Sequence, residues 1–115
     1  MKTDINSKQD IEVLVNEFYK VAANHKTLSR HFEGLDWERH LPRMISFWSF
    51  IVLDEMGYKS NMLEAHSHLD IKPNEVDVWL SIFHQTIDAF FEGERADFTK
   101  QRATSIAWVM KSRFQ

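Results

Sequence analysis

Between Trp37 and Leu53 the chain repeats apolar residues along two lines at once. One line is Trp37, Leu41, Ile45, Trp48 and Val52; the other is His40, Met44, Phe47 and Ile51. Both keep the three-to-four-residue spacing of a helix. A helix that is apolar on two sides must be buried on two sides. Neighbouring helices can cover one of them, and the other needs a different filler. Pro42 lies inside this segment, where its ring opposes the carbonyl of Glu38. Regular helix is therefore expected to begin near His40 or to bend there.

The covering elements must come from the rest of a 115-residue chain, enough for one core and one enclosed ligand. A single domain over residues 1–115 is expected. Three Gly and two Pro leave few tight turns, and strand-like alternation is absent, so the fold should be all-α. Ser7 to Asp10 reads as a capping box. It opens a helix with Ile11, Leu14, Val15, Phe18 and Ala22 on one stripe. Residues 24–34 lose that period and read as a loop or short turns, with Phe32 as their large apolar residue. Asp54 to Ser60 reads as a loop around Gly57, and Asn61 to His68 as a short helix. Pro73 suits a first helical position and precedes Val76, Trp79, Leu80, Phe83, Ile87 and Phe90 on an inward line. Gly93 is expected to close that helix as a left-handed cap. A last helix, from about Arg95 to Arg113, turns Ala103, Ile106, Ala107, Met110 and Phe114 inward and leaves Trp108 off the apolar line, where it could mark a contact surface.

Composition narrows the function classes. A net charge of −3 offers no field for nucleic acid or anionic lipid. No apolar run reaches membrane-spanning length and no signal-peptide core opens the chain, so a cytoplasmic location without membrane contact is expected. With no Cys, disulfides, thiolate metal sites, cysteine nucleophiles and thioether-linked haem are excluded. The H-E-x-x-H of zinc proteases, the E-x-x-H pairs of di-iron bundles and a Gly-rich phosphate loop are all missing.

Six histidines remain. His66 shares a stripe with Met62 and Leu69 and points inward, whereas His68 lies about 200° away on the same helix and faces water. His40 is inward on its own helix, beside Met44 and Phe47. Spacing alone allows two readings: inward imidazoles flanking a porphyrin, or core histidines satisfied by backbone carbonyls. The second is the commoner.

The order of several motifs adds to this. F-Y at 18–19, D-W-x-x-H-L-P-x-M-x-x-F-W at 36–48, A-H-x-x-L-x-I from 65, W-L-x-I-F from 79 and E-G-E-x-A-x-x-x-K-Q-R-A-x-x-I-A at 92–107 together resemble the group III truncated haemoglobins over essentially the whole chain. Ser60 and Met62 depart from the Gly and Pro common in that family before the proximal helix. The resemblance implies a shortened globin fold enclosing one non-covalent haem b, with His66 as the axial iron ligand. It implies Tyr19, His40 and Trp79 as the distal polar residues and Phe32 as the aromatic packed on the porphyrin. Met44 adds to the pocket wall, and Arg43 is a candidate for a haem propionate. It further implies binding of the diatomic gases O2, NO and CO, in a monomer or weak homo-oligomer, with a cellular reductase as a candidate partner. A haem-dependent peroxidase-like or NO-detoxifying enzyme is the alternative; a haem-free helical interaction module is the second.

Overall fold

The computed structural model describes residues 1–55 and 71–113. Its helices are α1 (Lys8–Ala22), α2 (Trp37–Leu53), α3 (Pro73–Phe90) and α4 (Glu94–Arg113), with a 3-10 turn at Ser29–Phe32. Among the described residues there is no β-strand, only an isolated parallel bridge between Thr3 and Phe91. The readings for Gly57, the 61–68 helix, His66 and His68 lie outside the described residues, as does Phe114.

Local chemistry explains the helix ends. Ser7 and Asp10 form the reciprocal box, Asp10 N–H donating to Ser7 Oγ at 3.3 Å and Ser7 N–H to Asp10 Oδ2 at 3.2 Å. The buried residues of α1 are Ile11, Leu14, Val15, Phe18 and Ala22, the stripe expected from periodicity. Helix α2 begins at Trp37 despite Pro42. Pro42 removes one donor from the second turn, opposite the Glu38 carbonyl, while Asp36 anchors the first turn by accepting from the His40 amide at 2.9 Å. At its far end Asp54 adopts the left-handed region, φ 58°, and donates to the Ser49 carbonyl, a conformation that Asp tolerates better than most side chains.

Helices α1 and α2, α1 and α3, α3 and α4, and α2 and α4 pack against one another. Phe83 of α3, 1 % exposed, is the hub. Its ring meets Phe18 of α1 edge-on at 5.3 Å, stacks on Trp48 of α2 at 4.7 Å and lies parallel to Trp79 at 5.5 Å.

Four expectations are corrected. Leu28, buried, anchors the turn region more deeply than Phe32, which is half-buried. Phe90 is exposed and its neighbour Phe91 is buried, because α3 ends at Phe90 and the extended backbone at Phe91 turns the next side chain inward. Ile82 and Thr86, one turn apart, are buried on α3 in addition to the single inward line expected. Gly93 does not cap α3; its φ of 146° lies outside the left-handed helical region and its carbonyl accepts from Asp97 N–H at the start of α4. A Cβ at Gly93 would stand 2.5 Å from Asp4 Cγ, so the residue is small to admit the N-terminal segment.

That segment is part of the core. Ile5 is fully buried, Thr3 O accepts from Glu92 N–H at 3.0 Å, and Asp4 caps α4 by accepting from the Arg95 and Ala96 amides at 2.9 and 2.8 Å. Burial alone would raise the Asp4 pKa; these amides, that of Ile5 and the Arg95 charge outweigh it and hold the carboxyl below its usual range. No helix among the described residues is long and apolar enough to cross a membrane. Trp108 stands 70 % exposed on α4.

Candidate functional site

The unfilled side of α2 faces a cavity of about 270 Å³, close to the lower end of small-molecule sites, about 300–1,000 Å³. Phe18 and Tyr19 border it from α1, His31 and Phe32 from the turn, His40 and Met44 from α2, Trp79 from α3, and Ile106 and Met110 from α4. The two apolar lines read on α2 both contribute to the core, and both reach the cavity. Val52 is buried in the core away from the cavity, Trp48, Met44 and Phe47 are buried in the core and also border the cavity, and His40 reaches it half-buried.

Polar groups gather in two places on an otherwise apolar wall. In the first, Tyr19 Oη lies 2.8 Å from His40 Nε2. The Tyr19 ring is boxed by Phe32 at 5.6 Å, Trp37 at 5.2 Å and the His40 imidazole at 5.1 Å, all edge-on, and Phe32 stacks on Trp37. Burial pushes the Tyr19 phenol up, so it stays protonated at neutral pH. Which group donates follows from the imidazole tautomer. When His40 Nε2 carries the proton, it donates to Tyr19 Oη and leaves the phenol hydrogen for another acceptor. In the other tautomer that hydrogen is committed to His40.

The second place was missed from sequence. Glu75, on the first turn of α3, is 5 % exposed. It accepts from Arg30 through two bonds, Nε to Oε2 at 3.1 Å and Nη2 to Oε1 at 2.9 Å, and from the Lys72 amide at 2.8 Å. His31 Nε2 sits 3.2 Å from Glu75 Oε1, within ion-pair reach but off the line of a hydrogen bond. Burial alone would raise the Glu75 pKa. The Lys72 amide, Arg30 and His31 reverse that and hold it at about 2. A Glu three residues after a helix start signals local capping; nothing in the sequence signals a partner 45 residues away.

The structure brings Tyr19, Phe32, His40, Met44, Arg43 and Trp79 to one cavity. Arg43 itself is exposed, on the rim. The bordering residues suit a flat apolar ring system with polar edge groups. Phe32 and Met44 offer apolar contact, the Tyr19–His40 pair offers a hydrogen bond within the cavity, and Arg43 offers positive charge at the mouth.

Short helices packed round an aromatic-walled cavity make up the fold of a truncated globin. The crystal structure of group III truncated hemoglobin from Campylobacter jejuni has a TM-score of 0.90 to this chain, covering 100 % of it and 96 % of that chain at 24 % identity. In sequence, group 3 truncated hemoglobin ctb of Campylobacter jejuni subsp. jejuni serotype O:2 is 26 % identical over 114 residues, 93 % of this chain and 90 % of the relative. No family model matches the chain. The chain is thus similar to a group 3 truncated hemoglobin in sequence and shares its fold, in agreement with the order of its motifs.

Proposed function

We propose that this protein binds one non-covalent haem b and uses it to bind diatomic gases, O2, NO or CO, for ligand trapping or redox chemistry. The observation that carries the reading is the Tyr19–His40 pair, 2.8 Å apart, on the border of an apolar aromatic cavity. Haem, when bound, supplies an iron with a coordination position open to a small ligand. His66, which lies outside the described residues, would hold the iron, an assignment that rests on its sequence spacing with Met62 and Leu69 and on the family resemblance. Phe32 and Met44 would pack on the ring, and Arg43 would meet a propionate at the rim.

The chain's own task is to present donors in a dry space. Tyr19 O–H and Trp79 N–H are the candidates, and each bond to an acceptor that gathers negative charge is worth about 1.5–3 kcal/mol. Two such bonds slow ligand escape by roughly a hundredfold or more, since 1.4 kcal/mol is tenfold. That suits retention or redox use better than carriage. The Tyr19 hydroxyl contributes fully only while His40 Nε2 carries its proton, so the His40 tautomer sets the donor count.

The same pair also supports the enzymatic reading. A phenol and an imidazole in hydrogen-bond contact can pass a proton, as peroxidase-like or NO-detoxifying turnover requires, with a cellular reductase as electron source. The test of the main reading is the visible spectrum of the purified protein, with and without dithionite, under argon and then under CO. A haem Soret band that shifts with CO is expected. A colourless protein that takes up no added haemin overturns the proposal and leaves a helical interaction module.

A further inference from the structure

The Tyr19–His40 pair belongs to the proposed ligand site, but the second polar group on the cavity border does not. Arg30 and His31 come from the Ser29–Phe32 turn, and Glu75 comes from the first turn of α3. Both groups border the cavity, since His31 and Phe32 of the turn and Glu75 and Val76 of α3 all line it.

Two uses of such a cluster are conceivable. A proton path from solvent would need a member that gains and loses a proton in the working pH range. Glu75 is held ionised far below neutrality, and a guanidinium keeps its proton throughout, so the path is interrupted at two of its three members. The remaining use is mechanical. Arg30 is about half exposed, while the side chains of His31 and Glu75 are 11 % and 6 % exposed. A carboxylate this deep is costly unless it stays paired, and breaking the pair leaves that charge stranded. The turn can move away from α3 only by stranding it. Arg30 grips through two parallel bonds, which resist rotation as well as separation. The neighbour of His31 is Phe32, whose ring stacks on Trp37 and abuts Tyr19, so a displaced turn also disturbs the aromatic box round the distal hydroxyl.

We propose that Arg30, Glu75 and His31 form an ionic latch that pins the Ser29–Phe32 turn to the start of α3 and thereby sets how slowly the cavity releases its occupant. The occupant is haem if the function proposed above holds; the latch itself does not require it. Glu75 is on this account a positioning residue, acting on the cavity through the turn it holds.

The test compares the wild-type protein, as purified, with Glu75→Gln, which keeps the shape and the acceptor for the Lys72 amide but removes the charge. Two quantities are measured: deuterium exchange of backbone amides in the 26–35 segment, and the rate of haem transfer to excess apo-scavenger. Asp77→Asn, on the same helix as Glu75, breaks the surface pair with Lys111 of α4 and is the control for charge loss on α3. Ala103→Gly is the control for lost stability away from the cavity border. The latch predicts exchange in 26–35 and haem loss both faster by about tenfold or more in Glu75→Gln. It also predicts no change in Asp77→Asn, and a smaller change in haem loss for Ala103→Gly at comparable overall stability. Unchanged exchange in Glu75→Gln overturns the latch, as does exchange raised equally over α1 and α4. Faster exchange in the turn with unchanged haem loss overturns its role in retention. A wild-type protein that binds no haem defeats the functional reading alone, because the exchange arm still decides whether the turn is latched.

Discussion

Two polar clusters border the same cavity and are built on opposite principles. The Tyr19–His40 pair can rest neutral, is joined by one hydrogen bond, and sits in a box of aromatic edges. The Arg30–Glu75–His31 cluster is ionic, and its carboxylate has three other groups drawn to it. A neutral pair can exchange its donor and acceptor roles by moving one proton, which is useful beside a ligand that comes and goes. An ionic cluster in a low-dielectric wall has one good arrangement and a steep penalty for any other. The difference suggests a division of labour: one border of the cavity responds, and the other holds still.

The largest expected effect tests the frame that both clusters serve. His66→Ala should abolish stable haem binding, or leave it dependent on added imidazole, whereas His68→Ala should stay red. Absorption of the purified variants decides, and loss of colour in the His68 variant alone would show the helical phase to be wrong.

Acid should divide the two clusters next. The Glu75 pKa is depressed from 4.5 to about 2, so its contribution is complete above the unfolded-state value and disappears as pH falls through that interval. About 2 kcal/mol of stability is at stake once the half-exposed Arg30 is discounted for solvent screening. Urea midpoints between pH 5 and pH 2.5 measure it. Glu75→Gln should flatten the fall, and an unchanged slope would mean that other carboxylates set the acid limit.

On the responsive side, Tyr19→Phe and Trp79→Phe should each speed O2 dissociation by about tenfold, the worth of one bond to a charged acceptor. CO, which gathers less charge, should respond less. Equal changes for both gases would point to altered access instead. In His40→Leu the Tyr19 hydroxyl loses its partner. A gating role for His40 predicts a changed association rate; an unchanged rate with an unchanged ferric spectrum would return it to packing.

The smallest effect belongs to a region remote from both. Asp4→Ala removes the acceptor for the Arg95 and Ala96 amides and should cost about 1 kcal/mol, the usual worth of a helix cap. Ligand kinetics should stay as in wild type, and a changed O2 or CO rate would show that the N-terminal clasp reaches the cavity.

What was legible from the sequence was what repeats locally. The stripe on α1, the Ser7–Asp10 box, Pro73 opening α3 and the doubled apolar face of α2 depend on residues within one or two turns of each other, and helical geometry turns such spacing into direction. The doubled face also implies a space between helices, and the motif order, through the family it resembles, points to Tyr19, His40 and Trp79 as the polar residues of that space. Tertiary structure alone decided which distant groups meet. Asp4 capping α4, Gly93 giving room to Asp4, Ile5 entering the core and Arg30 reaching Glu75 each join segments 45 or more residues apart or close a contact between ends of the chain. Such pairings leave no periodic trace, because a carboxylate reads the same in sequence whether it faces water or a buried guanidinium. Only the packing of the helices determines what a charge will find opposite it, and so whether it is surface or latch.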